Sequence, residues 1–143
     1  MSGFEKQNVV NAPVEKVFGF LADFSRHHEW TLNPVKIEQT SAGSVGGGSA
    51  FTSRNRFMGR ELEDKLTVTE FVPNEWLVYE GDGNTGHFRH IFVLQRAERG
   101  TRITKRIETL RPTLIGRLLA PLFLIVAPRA LAGDLERIKA KVE

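Results

Sequence analysis

Between Pro34 and Arg111 the apolar residues of this chain recur mostly at every second position, and the pattern breaks at clusters of turn-forming residues. Alternation of this kind belongs to strands with one face turned to a core. The breaks are Gly46-Gly47-Gly48, Met58-Gly59, Pro73-Asn74, Gly81-Asp82-Gly83-Asn84 and Arg99-Gly100. These are hairpin-length connections, so the strands are expected to form an antiparallel meander. They are expected near 35–41, 48–57, 60–72, 76–82, 86–97 and 101–110, after a first strand from Phe4 to Val10.

The period changes on both sides of this block. Ala12-Pro13 opens a first helix, with proline at the position where a missing N–H costs nothing, and Val14, Val17, Phe18 and Leu21 form its apolar face. A second helical turn is expected through Arg26, His27, His28, Glu29 and Trp30. From Thr113 the helical period returns, and Leu131, Leu135, Ile138 and Val142 make a stripe opposite Glu136, Arg137, Lys139 and Lys141. The expected class is α+β: a curved seven-stranded antiparallel sheet wrapped around a long C-terminal helix, with a short helical pair after the first strand.

Within that last helix, Leu118 to Pro128 is apolar on every side, although a helix that roofs a core needs only one apolar stripe. The surplus surface must meet an apolar ligand, a second subunit or a lipid surface. Arg111, Arg117 and Arg129 flank it, as expected of an element resting on an anionic membrane, and a homodimer interface accounts for the same residues. If the helix runs through Pro121 and Pro128, it should kink at both.

Composition narrows the function classes. A chain of 143 residues, 41% hydrophobic and 26% charged, fits one domain over residues 1–143 with a full core. Cysteine is absent, which excludes thiolate catalysis and cysteine-based metal sites. No apolar run is long enough to span a bilayer and the amino terminus lacks a signal pattern, so a soluble, cytoplasmic protein is expected. The net charge of +3 comes from dispersed residues such as Arg54, Arg56, Arg102 and Arg106 beside acidic neighbours, so no nucleic-acid partner is expected. His27 and His28 are expected at the surface and His87 outside, and the four histidines show no i, i+4 pairing; neither a metal nor a cofactor is expected. Gly46-Gly47-Gly48 precedes a strand rather than a helix, which favours a turn over a phosphate loop, and nucleotide-binding and hydrolase motifs are absent.

The order of elements resembles the helix-grip superfamily, START-like or SRPBCC, which includes START lipid-transfer domains, the major birch-pollen allergen and the polyketide cyclase/dehydrase group. The residues that carry the resemblance are Ala12-Pro13-Val14-Glu15-Lys16-Val17-Phe18, Trp30, Val45-Gly46, Val68-Thr69-Glu70-Phe71 with Pro73, Gly100-Thr101-Arg102-Ile103-Thr104 and Leu135-Glu136-Arg137-Ile138-Lys139. They are fold signatures spread over the whole chain, with no catalytic motif among them. The resemblance implies a hydrophobic or amphipathic small molecule, a lipid or polyketide, held between sheet and helix by a carrier or sensor. In some relatives it implies cyclisation and dehydration there.

Alternation places Phe51, Ser53, Asn55, Phe57, Leu62, Asp64, Leu66 and Val68 on the inner face of the sheet. Phe88, His90, Phe92 and Leu94 follow, then Thr101, Ile103, Lys105, Ile107 and Thr109. A mostly apolar interior with a few polar groups is the composition of a ligand pocket. The expected ligand-binding set is Phe51, Ser53, Asn55, Phe57, Leu66, Phe88, His90, Phe92, Ile103, Lys105 and Ile107, with Leu118, Leu122 and Phe123 from the helix. Were the chain an enzyme, Asp64, His90 and Lys105 would be the proton-moving candidates. Lys105 and Asp64 are expected either to pair across the cavity or to reach solvent from strand ends.

Overall fold

The turn clusters mark strand boundaries in the computed structural model, except that Gly81 to Gly83 belong to a strand and the turn there is Asn84-Thr85; the structure describes residues 2–31, 36–57 and 59–143, without the side chains of Ser2, Arg56 and Phe57. The first residue expected in the second strand, at 35, and the inward aim expected of Phe57 lie outside the described residues. The elements are β1 (Ser2–Val10), α1 (Val14–Ala22), a 3-10 turn (Phe24–Glu29), β2 (Lys36–Gln39), β3 (Ala50–Phe57), β4 (Arg60–Val72), β5 (Trp76–Gly83), β6 (Gly86–Ala97) and β7 (Gly100–Pro112). Two helices follow, α2 (Leu114–Leu118) and α3 (Ala120–Val142).

The seven strands form one antiparallel sheet in the order β1-β7-β6-β5-β4-β3-β2. The hairpins run in sequence from β2 to β7, and β1 closes the other edge by pairing with β7 from Ser2↔Thr109 to Val10↔Thr101. The ladder between β6 and β7 shifts between His87 and Phe88. Gly86 beside that shift has φ +142°, and a Cβ there would strike the carbonyl of Arg111. Glycine is therefore the residue that permits the close approach.

One face of the sheet is packed. Val68, Leu77, Tyr79, Phe92, Leu94 and Ile103 meet Val17, Phe18 and Leu21 of α1 and Leu135, Ile138 and Val142 of α3. The opposite face carries paired charges, Arg54 with Glu63, Arg89 with Glu80 and Glu108, and Arg106 with Glu108, and there His87 Nε2 hydrogen-bonds Glu80 at 2.6 Å. The outer position expected for His87 is thus a half-buried place beside these ion pairs.

The C-terminal helix departs from the expected single element. Thr113 caps α2, its Oγ1 accepting from Gly116 N at 3.1 Å and donating to Asn84 O at 2.6 Å. The chain breaks at Leu119 and α3 then begins with Pro121 in its first turn. A proline there opens a helix instead of kinking one, because that turn's N–H groups have no helical acceptors. Pro128 does lie inside α3.

Burial divides α3 in two. Leu131, Leu135, Ile138 and Val142 are buried, whereas every residue from Pro121 to Val126 is exposed. Ile138→Ala is expected to destabilise the protein by about 2–5 kcal/mol, from the lost methyl groups and the cavity left behind. Ile125→Ala is expected to stay within about 0.5 kcal/mol. Urea unfolding of the two variants measures the contrast, and equal losses would refute the asymmetry.

Candidate functional site

The inner face of the sheet changes character along its length. Register places Phe92 opposite Lys105 and Leu77, and His90 opposite Ile107 and Tyr79. On the far hairpin Phe51 stands opposite Leu66, Ser53 opposite Asp64 and Asn55 opposite Leu62. Near α1 these positions are closed. Toward the β5–β6 turn they open: His90, Ile107, Phe88, Thr109, Leu62 and Asp64 are all partly exposed.

Two clefts occupy this open end, beneath the unburied half of α3. One, about 260 Å³, is lined by Asn55, Leu62, Asp64, Asn84 and Thr85 from the sheet side and by Leu119, Leu122, Phe123 and Val126 from the roof. The other, about 250 Å³, lies between Phe4, Phe88, Thr109 and Pro112 on one side and Gly116, Arg117, Ala120, Phe123 and Leu124 on the other. Thr85 and Phe123 belong to both, so the clefts adjoin. The Phe123 ring stacks on Phe88 at 6.0 Å between centroids, forming part of the partition.

Asp64 is the titratable group that lines the first cleft. Gly83 leaves the space it needs, since a Cβ at that glycine would collide with the carboxylate. Partial burial and the neighbouring charge of Asp82 raise the Asp64 pKa above the ordinary aspartate value.

Behind the clefts lies an aromatic layer, buried except at His90, which stays partly exposed. Tyr79 stacks on His90 at 4.7 Å, Phe24 on Phe51 at 4.2 Å and on His27 at 4.3 Å, and Trp30 meets Phe92 edge-on at 5.6 Å. Within it Lys105, 2% exposed, extends its ammonium over the rings of Trp30 and Phe92, 4.5 and 5.0 Å from their centroids. The Lys105 Nζ donates to Asp134 Oδ2 at 3.3 Å, and the other carboxylate oxygen accepts from Arg137 Nη2 at 2.7 Å. Arg137 Nε donates to the carbonyl of Trp30 at 2.8 Å. Burial lowers the Lys105 pKa, opposed by the Asp134 carboxylate. Lys105 therefore neither pairs with Asp64 nor reaches solvent; its partner is on α3.

His27 also departs from expectation. It is buried, because a 3-10 turn eclipses every third residue and so aims Phe24, His27 and Trp30 together at the sheet. His27 Nε2 donates to Leu21 O at 2.9 Å, and desolvation lowers its pKa to about 4. Desolvation first, then the charge of Lys105, lowers that of His90 to about 3. Both imidazoles are thus neutral at pH 7. His90 Nδ1 and Trp30 Nε1 are buried without a hydrogen-bond partner among the described residues.

The structure therefore divides the residues expected to bind ligand. Asn55, Leu122 and Phe123 line the first cleft, and Phe88 and Phe123 the second. His90 and Ile107 lie partly exposed on the same inner face, and Leu118 is exposed on α2. Phe51, Ser53, Leu66, Phe92, Ile103 and Lys105 are buried and line neither cleft. Sequence reasoning did not select Asn84, Thr85, Leu119 or Val126, nor Asp134; the first two sit on a turn whose proximity to α2 only the folded chain reveals. Among the described residues no cluster of three or more metal-ligating side chains occurs, and no helix is long and apolar enough to cross a membrane.

The family model described as "Polyketide cyclase / dehydrase and lipid transport" matches residues 1–143. Protein CV1439 from Chromobacterium violaceum is similar in structure with TM-score 0.77 and 16% identity, covering 100% of this chain and 99% of that one. TTHA0849 from Thermus thermophilus has TM-score 0.79 at 15% identity, over 99% of this chain and 97% of its own. The Aha1 dimer from Colwellia psychrerythraea has TM-score 0.69 at 20% identity, over 100% and 97%. At these identities the likeness shows the fold alone, the helix-grip fold. No curated protein matches the chain.

Two outcomes test the polar interior. Asp134→Ala leaves Lys105 buried without its carboxylate and is expected to cost about 3–5 kcal/mol, while Lys105→Met with Asp134→Leu costs much less. Urea unfolding checks this, and equal losses in both variants would contradict it. For the histidines, the unfolded chain gains a proton near pH 6.5, whereas the folded chain refuses one until about 4 at His27 and about 3 at His90. Their contribution to stability is complete above pH 6.5 and is lost as the pH falls toward 4, by roughly 1.4 kcal/mol per pH unit for each. His90→Phe should remove about half of that slope between pH 6.5 and 5; an unchanged slope would show that His90 takes up its proton freely in the fold.

Proposed function

The chain belongs to the polyketide cyclase/dehydrase and lipid transport family, and from that membership we propose that it holds a hydrophobic or amphipathic small molecule between sheet and α3, as a carrier or sensor. The observation that carries this reading is the pair of adjoining clefts, each near 250 Å³, one roofed by Leu119, Leu122, Phe123 and Val126 and the other by Ala120, Phe123 and Leu124 beside Gly116 and Arg117. Together they fall in the size range of small-molecule sites. Asn55, Asn84, Thr85 and Asp64 supply the few polar groups that would orient one end of an amphipathic ligand.

The interior favours carriage over catalysis. Lys105 is engaged by Asp134 behind the rings of Trp30 and Phe92, away from both clefts. His90 is a neutral imidazole at neutral pH, its pKa near 3, so it has no imidazolium proton to give and is too weak a base to take one. A cyclase or dehydratase needs a titrating group within reach of the reacting atom. Asp64 alone among the three candidates meets that condition, and it keeps the enzymatic alternative open.

An anilinonaphthalene dye should bind saturably and be displaced by a fatty acid or flat polyketide. Phe123→Asp, which puts a charge between both clefts, should weaken dye binding at least tenfold without unfolding the protein. A native chain with no saturable binding would remove the carrier reading. Asp64→Asn should leave affinity within about tenfold. A substrate whose turnover falls by about 10² or more in that variant while binding persists would establish the enzyme instead.

A further inference from the structure

We propose that the apolar surface of α2 and the first turns of α3 docks on the anionic face of a phospholipid bilayer. The docking is independent of what the clefts hold; only its consequence, that the clefts then open toward lipid, rests on the ligand-binding reading.

Exposure supplies the first argument. Leu114, Leu118, Leu124 and Ile125 are 75, 73, 66 and 61% exposed, far above what scattered surface leucines need to explain. Away from this segment, the large hydrophobic side chains classed as exposed among the described residues are Val9 and Trp76. The five consecutive exposed residues Leu122 to Val126 sweep more than one full turn of helix. A rigid protein partner covers one side of such a helix. A fluid hydrocarbon boundary accommodates all the sides that the fold leaves bare.

Charge supplies the second. No acidic residue occurs between Glu108 and Asp134, a span that contains Arg111, Arg117 and Arg129. All three arginines are exposed and pair with no carboxylate among the described residues; Arg117 and Arg129 lie on the two helices, whereas Arg111 stands opposite His87 on the outer face of the sheet. Elsewhere Arg26, Arg54, Arg89, Arg96, Arg106 and Arg137 each hold one, while Arg60, Arg99 and Arg102 are exposed without one among the described residues; what sets this segment apart is the absence of any acidic residue along it. The nearby Asp64 and Asp82 belong to the sheet side, one in the cleft and the other 4.0 Å from His87. An isologous dimer through this patch would set arginines against arginines with no carboxylate on the patch to separate them. Lipid phosphates satisfy the same guanidiniums directly.

The test is cosedimentation of the full chain with vesicles of mixed phosphatidylglycerol and phosphatidylcholine, beside pure phosphatidylcholine. Binding is expected to the anionic vesicles and to weaken strongly in high salt. Arg117→Gln and Arg129→Gln should each weaken it by about fivefold, and Arg111→Gln much less, because Arg111 pairs in register with His87 on the outer face of the sheet. Leu114→Glu with Ile125→Glu should reduce it at least tenfold. Neither residue lines a cleft, so dye binding should persist in that variant, and its loss alone would count against the ligand-binding reading, not against docking. Failure of the wild-type chain to sediment with anionic vesicles would overturn the proposal. So would a wild-type dimer in free solution that the double glutamate variant dissociates, since the patch would then be covered by a second copy.

Discussion

The placement of the terminal helix depends on one carboxylate, Asp134, held between Lys105 of the sheet and Arg137 of its own helix. Apolar contacts are non-directional, so the stripe Leu131, Leu135, Ile138 and Val142 does not by itself forbid a shifted or rotated helix. A buried ammonium does, because a slip that removes Asp134 strands an unpaired charge at a cost of several kcal/mol. Arg137 extends the constraint to the helical pair through the Trp30 carbonyl. The pair's contribution is therefore registration: three separate parts of the chain are fixed about one point, while a well-packed apolar replacement could equal it in net stability.

With the last turns of α3 held there, the first turns must cross the sheet where its inner face has little to offer them. Gly81 and Gly83 present no side chain, and their neighbours Asp64 and Asn55 are polar. A helix cannot close onto such a floor, so space remains beneath it and apolar side chains remain above it. The clefts and the exposed surface thus share a cause: α3 is longer than the apolar part of the sheet that it covers.

The fold was legible because its determinants are local. Alternation set the strand faces, and the observed register puts Phe51 with Leu66 and His90 with Ile107 on one side, as alternation alone requires. Hairpin turns set the neighbours, and Ala12-Pro13 set the start of α1. The site was less legible because it depends on distances along the sheet. Alternation says that Lys105 and Ile107 share a face but not that one is sealed by Trp30 and the other opens toward the cleft. Asp134 was hidden for a related reason, since a lone aspartate in an amphipathic helix reads as solvated until its buried partner is known. His27 was misjudged because a 3-10 turn changes which residues face inward. At Pro121, helix periodicity continued through a residue that begins a new helix.

The roof of the clefts is hydrogen-bonded to the sheet side at its two ends, with the Phe123 ring on Phe88 as the apolar contact between them. At the front, Thr113 bonds Asn84 and Thr85 of the β5–β6 turn, and Gly116 is packed so closely on the Thr85 carbonyl that a side chain would not fit. At the rear, Asp134 is bound by Lys105. Between these anchors lie Leu118 to Pro128, with the helix break at Leu119 and a proline inside α3 at Pro128 that cannot bond Leu124 O. Those are the positions where backbone hydrogen bonding is weakest. Displacing this strap exposes clefts that are already partly open and leaves the aromatic layer behind them closed. Access to the clefts is thereby separated from the stability of the core, which explains how a chain with a sealed, ion-locked interior still carries an apolar opening at its surface.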